Sequence, residues 1–548
     1  MPARRRVPRL KLGPIVGHTD DSSSRVWIQV GDDLSHYALR VSDVGLFPFE
    51  STEGSAVEFG TAIAVVRGLE ADRRYEYRVV RQGRFVRGAG GSFRTFPASA
   101  SMTSLLFCSI SCNGAETLGA WQQFNEFATK AQPSFVLMMG DQVYLDEDPP
   151  DVYKQHLNSD SAIRRKAMAA MYQTNWSREP LRSIFANYPI YMLWDDHDVR
   201  DGFGSLAHDS PTMAERYPRG RALYDKMNAY FEDARDAFWH FQGCRNPGPD
   251  DTPDPSLPNY VDGPISQHIR SAMPFVFRCG RLIVLMVESR GERDAYRQDM
   301  PILGARQWAF IEEVFANLPA DVEALAIVTS TPIASQDPDG QSQRLLGTRT
   351  DDVDAFKTGD EQAAFHPKAT GTEDKAEIFK TLVNARIANQ FGVQGNWGTF
   401  QQNNLDEARD QWSHRFARGE QQRLIKLAVA ARTRGDNTAF ERGLIFISGD
   451  IHIGCIFELK VSRSKGEVLS LTSSGISQID THQPLVGVFI DEEFKVGPGI
   501  RSTLQEVVNK YNFGVIQVQP TGSGAVIAPA LAYEGSSTVY GVQTQGVL

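Results

Sequence analysis

The chain has 548 residues, of which 41% are hydrophobic and 23% are charged, and this composition excludes the disordered classes of protein. One hydrophobic core rarely organises so long a chain, so two or three structural units are expected. The formal net charge of −10 disfavours non-specific binding to nucleic acid or to anionic membranes.

The N-terminal stretch 1–24 carries arginines but no long apolar run, so no export signal is predicted. No segment reaches the roughly 18 apolar residues that a transmembrane helix needs. The five cysteines are scattered, which argues against a disulfide framework and fits a reduced compartment. A cytoplasmic location without a transmembrane segment is therefore expected, although the sequence leaves export open.

Residues 8–97 alternate short β-rich runs with turns, among them "SSRVWIQV" and "RRYEYRVV", as is typical of a small β-sandwich. The stretch "LEADRRYEYRV" resembles a late strand of a fibronectin type III-like module. We therefore predict an N-terminal β-sandwich domain over residues 1–98. An inert packing role is favoured for it over a role in shaping a substrate site.

From residue 103 onward, apolar strands run directly into polar residues, as in "TSLLFCSISCNG", "PSFVLMMGDQVYLDE", "YPIYMLWDDHDVRDG", "RLIVLMVESRG" and "RGLIFISGDIHIG". Strands that are apolar throughout are buried on both faces, which predicts a layered α/β architecture. Ligands of such folds gather at the carboxyl ends of the strands. The polar residues of this chain are expected at that edge.

The remaining segments complete the predicted architecture. Helices are predicted at 160–173, 212–241, 305–317, 373–390 and 406–432. Residues 336–372 lack periodicity and are interpreted as a long insertion or lid. The β-like runs after about residue 456 are expected to form a further sheet layer.

Four strand ends carry candidate chemistry, and each has an ordinary explanation when taken alone, such as a turn or a core cysteine. The residues are Cys112; Asp141 and Tyr144; Asp196, His197 and Asp198; and Asp450 and His452. An EF-hand calcium loop is excluded, because Arg200 occupies the fifth position counted from Asp196.

Taken in order, "SISCNG", "GDQVY", "WDDHDVRDG" and "SGDIH" resemble the alkaline phosphatase D family of the calcineurin-like metallophosphoesterase superfamily. The similarity extends through "GPIVGHTDDSSSRVWIQV", "VESRGERDAYRQDMPILGARQWAFIEEVF" and "LDEARDQWSHRFARGEQQRLIKLA" to nearly the whole chain. The resemblance implies an α/β/β/α sandwich over residues 99–548. It also implies a metal-dependent hydrolase of phosphoric monoesters or diesters.

A mixed metal centre is expected, because thiolate and phenolate suit Fe(III) while carboxylates suit divalent ions. The tyrosine of "GDQVY" is also of the kind that binds ferric iron in purple acid phosphatases. The expected iron ligands are Cys112, Asp141, Tyr144, Asp450 and His452. Asp141 is expected to bridge to one or more divalent ions shared with Asp196, with calcium favoured over magnesium, manganese or zinc. Asp195 and Asp410 are weaker candidate ligands, and Asp410 is equally well explained as a helix cap.

Paired cations would activate a water as hydroxide for in-line attack on phosphorus. His197, oriented by the adjacent Asp198, is the expected general acid or electrostatic stabiliser for the leaving group. Arg290 is interpreted either as a bidentate phosphate contact or as the partner of Glu288 or a nearby aspartate.

Two alternatives stay open. The first is a phosphodiesterase or phospholipase D-like enzyme that acts mainly on diesters. The second, from another class, is a non-catalytic metal-binding protein, which would not need His197. The expected partner is a small phosphoester substrate, with no stable nucleic-acid partner, and the oligomeric state is left open.

Overall fold

The structure is a computed structural model that describes residues 10–52, 59–248, 251, 256–258, 273–340, 351–365, 407–434, 437–462, 464, 466–479 and 490–533. The helix predicted at 373–390 lies outside the described residues, as do positions 341–350 and 366–372 of the predicted insertion. Within the described ranges, no helix is long and apolar enough to cross a membrane.

The N-terminal region is the predicted β-sandwich. Its strands are β1 (Leu12–Thr19), β2 (Ser23–Gln29), β3 (Tyr37–Val41), β4 (Gly45–Pro48), β5 (Glu50–Ser51), β6 (Thr61–Arg67), β7 (Arg74–Arg81) and β8 (Arg84–Arg94). They form two antiparallel sheets in the orders β1-β2-β6-β5 and β4-β3-β7-β8. Alternate side chains such as Val26, Ile28, Leu39 and Tyr77 fill the space between the sheets.

The larger α/β region contains two further sheets and a short ribbon. Its strands are β9 (Leu105–Ile110), β10 (Val136–Met139), β11 (Ile190–Leu193), β12 (Phe275–Cys279), β13 (Leu282–Val287), β14 (Ala324–Thr329), β15 (Thr433–Arg434), β16 (Asn437–Glu441), β17 (Gly443–Ser448), β18 (Gly454–Val461), β19 (Val468–Thr472), β20 (Glu493–Gly497), β21 (Ile500–Val508), β22 (Asn512–Pro520) and β23 (Ala525–Tyr533). The first sheet has the order β11-β10-β9-β22-β23, and the second has the order β12-β13-β14-β17-β19-β18-β21-β20.

Helices cover the outer faces of the two sheets. They are α1 (Trp121–Ala131), α2 (Val152–His156), α3 (Ser161–Trp176), α4 (Glu179–Asn187), α5 (Pro211–Arg216), α6 (Arg221–Phe241), α7 (Gly304–Ala316), α8 (Asp351–Thr358), α9 (Glu361–Phe365), α10 (Glu407–Asp410) and α11 (Arg418–Ala430).

Three apolar layers hold this region together. Leu137 of the first sheet and Val284 of the second belong to the core between the sheets. Met138, on the opposite face of β10, packs in the core that includes α3 and α6, while Ile327 packs in the core that includes α7 and α11. Both sheets are therefore buried on both faces, and the predicted α/β/β/α sandwich is confirmed.

Two predicted helices are divided in the structure. The predicted helix 212–241 breaks into α5 and α6, with a 3-10 turn over Pro218–Gly220, where the proline nitrogen cannot donate a helical hydrogen bond. The predicted helix 406–432 divides into α10 and α11.

The C-terminal strands do not form the separate layer that was expected. Instead, β22 pairs with β9 and carries β23 at the edge of the first sheet, while β21 pairs with β18 in the second. Both existing sheets thereby become wider, because β22 satisfies the edge hydrogen bonds of the parallel strand β9, and β21 satisfies those of β18, which is antiparallel to β19.

The N-terminal sandwich packs directly against the α/β region. The indole Nε1 of Trp27 donates to the carbonyl of His240 at 3.0 Å, and the hydroxyl of Tyr77 donates to the carbonyl of Ala186 at 2.8 Å. The last sandwich strand ends at Arg94 and the next strand begins at Leu105, so the proposed domain boundary after residue 98 falls between them.

Candidate metal centre

The candidate site is built at the carboxyl ends of parallel strands. In the first sheet, β9, β10 and β11 are parallel neighbours, and Cys112, Asp141 and Asp196 follow their ends. In the second sheet, β17 is parallel to β14 and to β19, and Asp450 and His452 follow its end. Because both sheets present this edge on the same side, residues far apart in sequence meet there.

Four of the predicted ligands have left-handed backbone conformations, with φ of 59° at Cys112, 53° at Asp141, 76° at Asp450 and 56° at His452. Non-glycine residues rarely adopt this conformation, and where they do the cost is commonly offset by function. The chain turns sharply at each strand end and directs the side chains into the same space.

The glycines that precede two of these aspartates are required by close packing. A Cβ atom on Gly140 would lie 2.4 Å from the Cβ of Asp195, and one on Gly449 would lie 2.3 Å from Ser111 Oγ. The glycines of the "GD" pairs at 140–141 and 449–450 are therefore required because neighbouring strand ends approach closely, and not only because the chain turns there.

The first group of possible ligands consists of Cys112, Asp141 and His452, whose ligand atoms lie within 4.8 Å of one another. Cys112 Sγ lies 3.5 Å from Asp141 Oδ2. The hydroxyl of Tyr144 lies 3.0 Å from His452 Nε2, so the phenol borders the same group. The backbone N–H of His452 donates to Ser474 Oγ, which is also 3.0 Å from Cys112 Sγ.

The second group contains four carboxylates, from Asp141, Asp195, Asp196 and Asp450, again within 4.8 Å of one another. Asp141 belongs to both groups. The structure thus places the Asp450 carboxylate with the other aspartates, not in the thiolate-containing group where sequence reasoning put it. We call Cys112, Asp141, Tyr144, Asp195, Asp196, Asp450 and His452 the strand-end cluster.

Electrostatics favour cations in this cluster. One oxygen each of Asp141, Asp195 and Asp196 is buried and accepts no hydrogen bond. Burial, followed by the charges of Cys112 and Asp196, raises the pKa of Asp141 well above its usual value, and burial with the charges of Asp195 and Asp196 does the same for Asp450. Unpaired buried carboxylates are costly, and positive ions remove that cost. The donor set therefore fits both a thiolate–phenolate–imidazole ion site and an adjacent all-oxygen one.

His197 lies beside this cluster, but its hydrogen-bond partner differs from the expected one. His197 Nδ1 is 2.8 Å from Asp146 Oδ1, and the ring packs against that of Tyr144 with centroids 4.4 Å apart and the planes tilted by 36°. Burial lowers the pKa of His197, but the charges of Asp146 and then Asp196 raise it well above its usual value. The predicted orientation by Asp198 is therefore wrong.

Asp198 joins two strand-end loops instead. Its Oδ2 accepts the backbone N–H of Asp141 at 2.9 Å and that of Asp195 at 3.0 Å, and its Oδ1 accepts from Gln242 at 2.8 Å. These bonds occupy the carboxylate, which explains why Asp146, not its sequence neighbour, holds His197. A third possible ligand group, Asp196, His197 and Asp201, also lies here.

Arg290 is fully buried and bonds carboxylates, which was one of its two interpretations. Its Nη1 and Nη2 donate to Asp410 at 2.6 and 2.5 Å, and its Nε donates to Asp195. With these partners, the guanidinium does not present the free fork that a phosphate contact requires. Although burial raises the pKa of Asp410, Arg290 and Arg293 hold it far below its usual value.

Asp410 is not among the residues whose ligand atoms come together. Both of its carboxylate oxygens accept hydrogen bonds from Arg290, and Oδ1 also accepts from Ser205 at 2.6 Å. It is the last residue of α10, so it does not cap the start of that helix. The expected metal ligation and the helix-cap alternative both give way to an ion pair.

Sequence reasoning missed Asp146 and gave Asp195 only as a weaker candidate ligand. Asp146 lies in the acidic run that follows Tyr144, and this run is the only sequence signal for it. Its Oδ2 accepts the backbone N–H of Asp201 at 2.6 Å. The carboxylate therefore joins the turn after β10 to the loop after β11, a contact that no local pattern encodes.

The family model described as PhoD-like phosphatase matches residues 107–519. A solved structure titled "Structure of PhoD" is 16% identical with a TM-score of 0.56, and the alignment covers 98% of this chain and 94% of that chain. Purple acid phosphatase PPD1 from yellow lupin (Lupinus luteus) seeds is 9% identical with a TM-score of 0.48, covering 95% of this chain and 72% of that one. No curated protein matches the chain.

Proposed function

Because the chain belongs to the PhoD-like phosphatase family, we propose that it is a metal-dependent hydrolase of phosphoric esters acting on small monoesters and diesters. The observation that carries this proposal is the strand-end cluster, where two groups of ligand atoms share Asp141. Buried carboxylate oxygens without hydrogen-bond partners support it further.

The residues divide by the ions that they suit. Cys112, Tyr144 and His452, together with Asp141, would hold Fe(III), because anionic sulfur and phenolate oxygen stabilise a trivalent ion. Asp141, Asp195, Asp196 and Asp450 would hold a divalent ion, calcium by preference, since all their donor atoms are oxygen. When bound, such ions would activate water as a nucleophile and neutralise charge on the phosphoryl oxygens.

His197 is the residue proposed to donate a proton to the departing alkoxide. Asp146 occupies Nδ1, which leaves Nε2 to face the leaving group. Burial lowers the pKa of His197, but the charges of the neighbouring carboxylates raise it well above its usual value, which favours the protonated imidazole that a proton donor requires.

Elemental analysis of the purified protein, combined with turnover of 4-nitrophenyl phosphate and bis(4-nitrophenyl) phosphate, tests the proposal. We expect iron and a divalent metal in the protein, hydrolysis of both esters, and loss of hydrolysis after chelation. Absence of turnover in a metal-loaded protein would contradict the proposed activity. A diester preference above about tenfold, or ~1.4 kcal/mol, would make the diesterase reading the better one.

The iron assignment has its own readout. Phenolate bound to Fe(III) should give a visible charge-transfer band, and Tyr144→Phe should remove it. Tyr230→Phe is a matched control, because Tyr230 is also fully buried but lies on α6 outside the strand-end cluster. A colourless protein that contains only zinc would refute the assignment.

A further inference from the structure

We propose that Arg290 serves as a resident cation of the strand-end cluster and thereby limits the number of divalent ions that the cluster binds. The inference rests on the proposed metal-dependent function. The guanidinium of Arg290 is fully buried and lies among aspartates that follow several strand ends or belong to α10.

One guanidinium nitrogen occupies the kind of position that a bound cation would take. Arg290 Nη2 lies 2.5 Å from Asp410 Oδ2, 3.5 Å from Asp196 Oδ1 and 3.7 Å from Asp450 Oδ1. Two of these three carboxylates also belong to the second ligand group. The arginine and a divalent ion would thus draw on the same carboxylates from adjacent positions.

Arg290 divides the carboxylates into those that can face an ion and one that cannot. Asp195 Oδ1 accepts from Arg290 Nε and, at 2.9 Å, from Ser330 Oγ, while its Oδ2 is buried and accepts no hydrogen bond. Asp410 has no such free oxygen, because Nη1 and Nη2 each bind one. Asp195 is left with one oxygen for an ion, and Asp410 is removed from the ligand set.

The charges explain why a fixed cation would be needed there. Counting Asp410, five carboxylates meet in a buried space, and buried charges must be neutralised by close partners. Arg290 supplies one positive charge permanently and keeps it regardless of metal supply, since a guanidinium does not lose its proton in proteins. Without it, Asp410 and Asp195 Oδ1 would offer the oxygen-rich environment that binds a further divalent ion.

The test counts Mn(II) ions bound per chain by equilibrium dialysis and elemental analysis, with thermal melts of the chelated and Mn(II)-loaded protein. We expect Arg290→Met to bind one more Mn(II) per chain than the wild type. Its chelated form should melt at a lower temperature, and Mn(II) should raise its melting temperature more than that of the wild type. Arg290→Lys should keep the wild-type count, because the positive charge remains.

Arg293→Met is the matched control. Arg293 is also buried and lies 3.2 Å from Asp410 Oδ1, but its Nη2 donates to the backbone carbonyl of Asp410 at 2.6 Å. We expect it to lose stability without gaining an ion. The double variant Arg290→Met/Asp410→Asn should return to the wild-type count, because it removes one charge of each sign.

An unchanged Mn(II) count in a folded Arg290→Met protein would overturn the inference. If that variant does not fold, Asp410→Asn tests the inference instead. The Arg290 charge, no longer neutralised by Asp410, should weaken Mn(II) binding by about tenfold. Unchanged Mn(II) affinity would overturn the inference. A wild-type protein that binds no Mn(II), Ca(II) or Mg(II) would instead contradict the proposed metal-dependent function itself.

Discussion

In the N-terminal sandwich, charged side chains lie at the surface and pair there, as Arg81 does with Asp32 at 2.6 Å and Arg94 with Asp72 at 2.9 Å. At the strand ends of the α/β region, carboxylates are instead buried, crowded together, and left with oxygens that accept no hydrogen bond. Such surface ion pairs contribute little to the free energy of folding, and forming them costs little. The buried arrangement is destabilising by itself, so its persistence points to function.

Asp141→Asn should have the largest effect, because Asp141 is the ligand shared by both groups of the strand-end cluster. We expect kcat to fall by about 10⁴-fold, equivalent to ~5.5 kcal/mol, and the metal content to decrease. Steady-state kinetics and elemental analysis measure both effects.

Asp43→Asn in the sandwich is the matched control. Both aspartates have left-handed backbones, with φ of 60° at Asp43 and 53° at Asp141, and asparagine tolerates that conformation. We expect Asp43→Asn, at the exposed position, to leave kcat unchanged, whereas Asp141→Asn lowers it. Equal losses of activity in the two variants would show that the loss does not depend on the strand-end cluster.

His197→Ala should reduce turnover by about 10² to 10⁴-fold while the fold and the metal content remain. The reason is loss of the proton donor that Asp146 holds at the edge of the cluster. His240→Ala provides a comparison, since this histidine is also buried but contacts Thr52 of the sandwich. Turnover unchanged by His197→Ala would remove the catalytic assignment and favour a metal-binding protein without catalysis.

Trp27→Ala tests the contrast from the other side, by damaging the packing of the sandwich against the helices of the α/β region. Trp27 is fully buried and its ring lies 5.8 Å from that of Phe241 on α6. Truncation should lower the free energy of unfolding by about 3 to 5 kcal/mol, as for other buried aromatic side chains. Denaturant unfolding measures this change, while kcat of the folded fraction should stay within about twofold of wild type. A fall in kcat comparable to that of His197→Ala would show that the sandwich shapes the substrate site.

Asp146→Asn should have a smaller effect on turnover, about tenfold to 10²-fold, because it removes only the partner of the acid. Loss of the Asp146 charge should lower the pKa of His197, since that charge is a leading cause of its elevation. The protonated form would then be lost at a lower pH, and the alkaline limb of the kcat profile should move in that direction. An unshifted limb would indicate that Asp146 has only a structural role.

Much of the candidate site in the α/β region could be predicted from the sequence, because strand ends are local features. Apolar runs that stop at Cys112, at Asp141 and at Asp450 predict buried strands with polar termini, and parallel pairing brings those termini together. The same reasoning could not identify Asp146 as the partner of His197. That pairing requires the turn after Tyr144 to lie against the loop after β11, a tertiary contact with no periodicity.

The sequence alone also could not identify the partner of a charged side chain that had several candidate partners. Arg290 could pair with Glu288, with an aspartate or with a phosphate on sequence grounds alone. In the structure, the Glu288 carboxylate instead accepts backbone N–H groups, among them that of Gly291 at 2.9 Å. Burial and distance decide such cases, and neither is encoded within a few residues of the arginine.

Asp32→Asn should have the smallest effect and define the lower end of the comparison. Burial raises the pKa of Asp32 and is the largest single influence on it, but the hydrogen bonds from Tyr37 and Arg81 together lower the pKa below its usual value. A carboxyl whose pKa is depressed by folding stabilises the protein above its unfolded pKa of about 3.9, and that contribution disappears as the pH falls through the lower folded pKa. For an exposed pair, we expect a loss of about 0.2 to 1 kcal/mol in the free energy of unfolding at neutral pH, with unchanged kcat. The difference from wild type should vanish in acid, as measured by urea unfolding from pH 2 to 7. A loss as large as that of Trp27→Ala, or one that persists in acid, would mean that surface pairs hold this sandwich together after all.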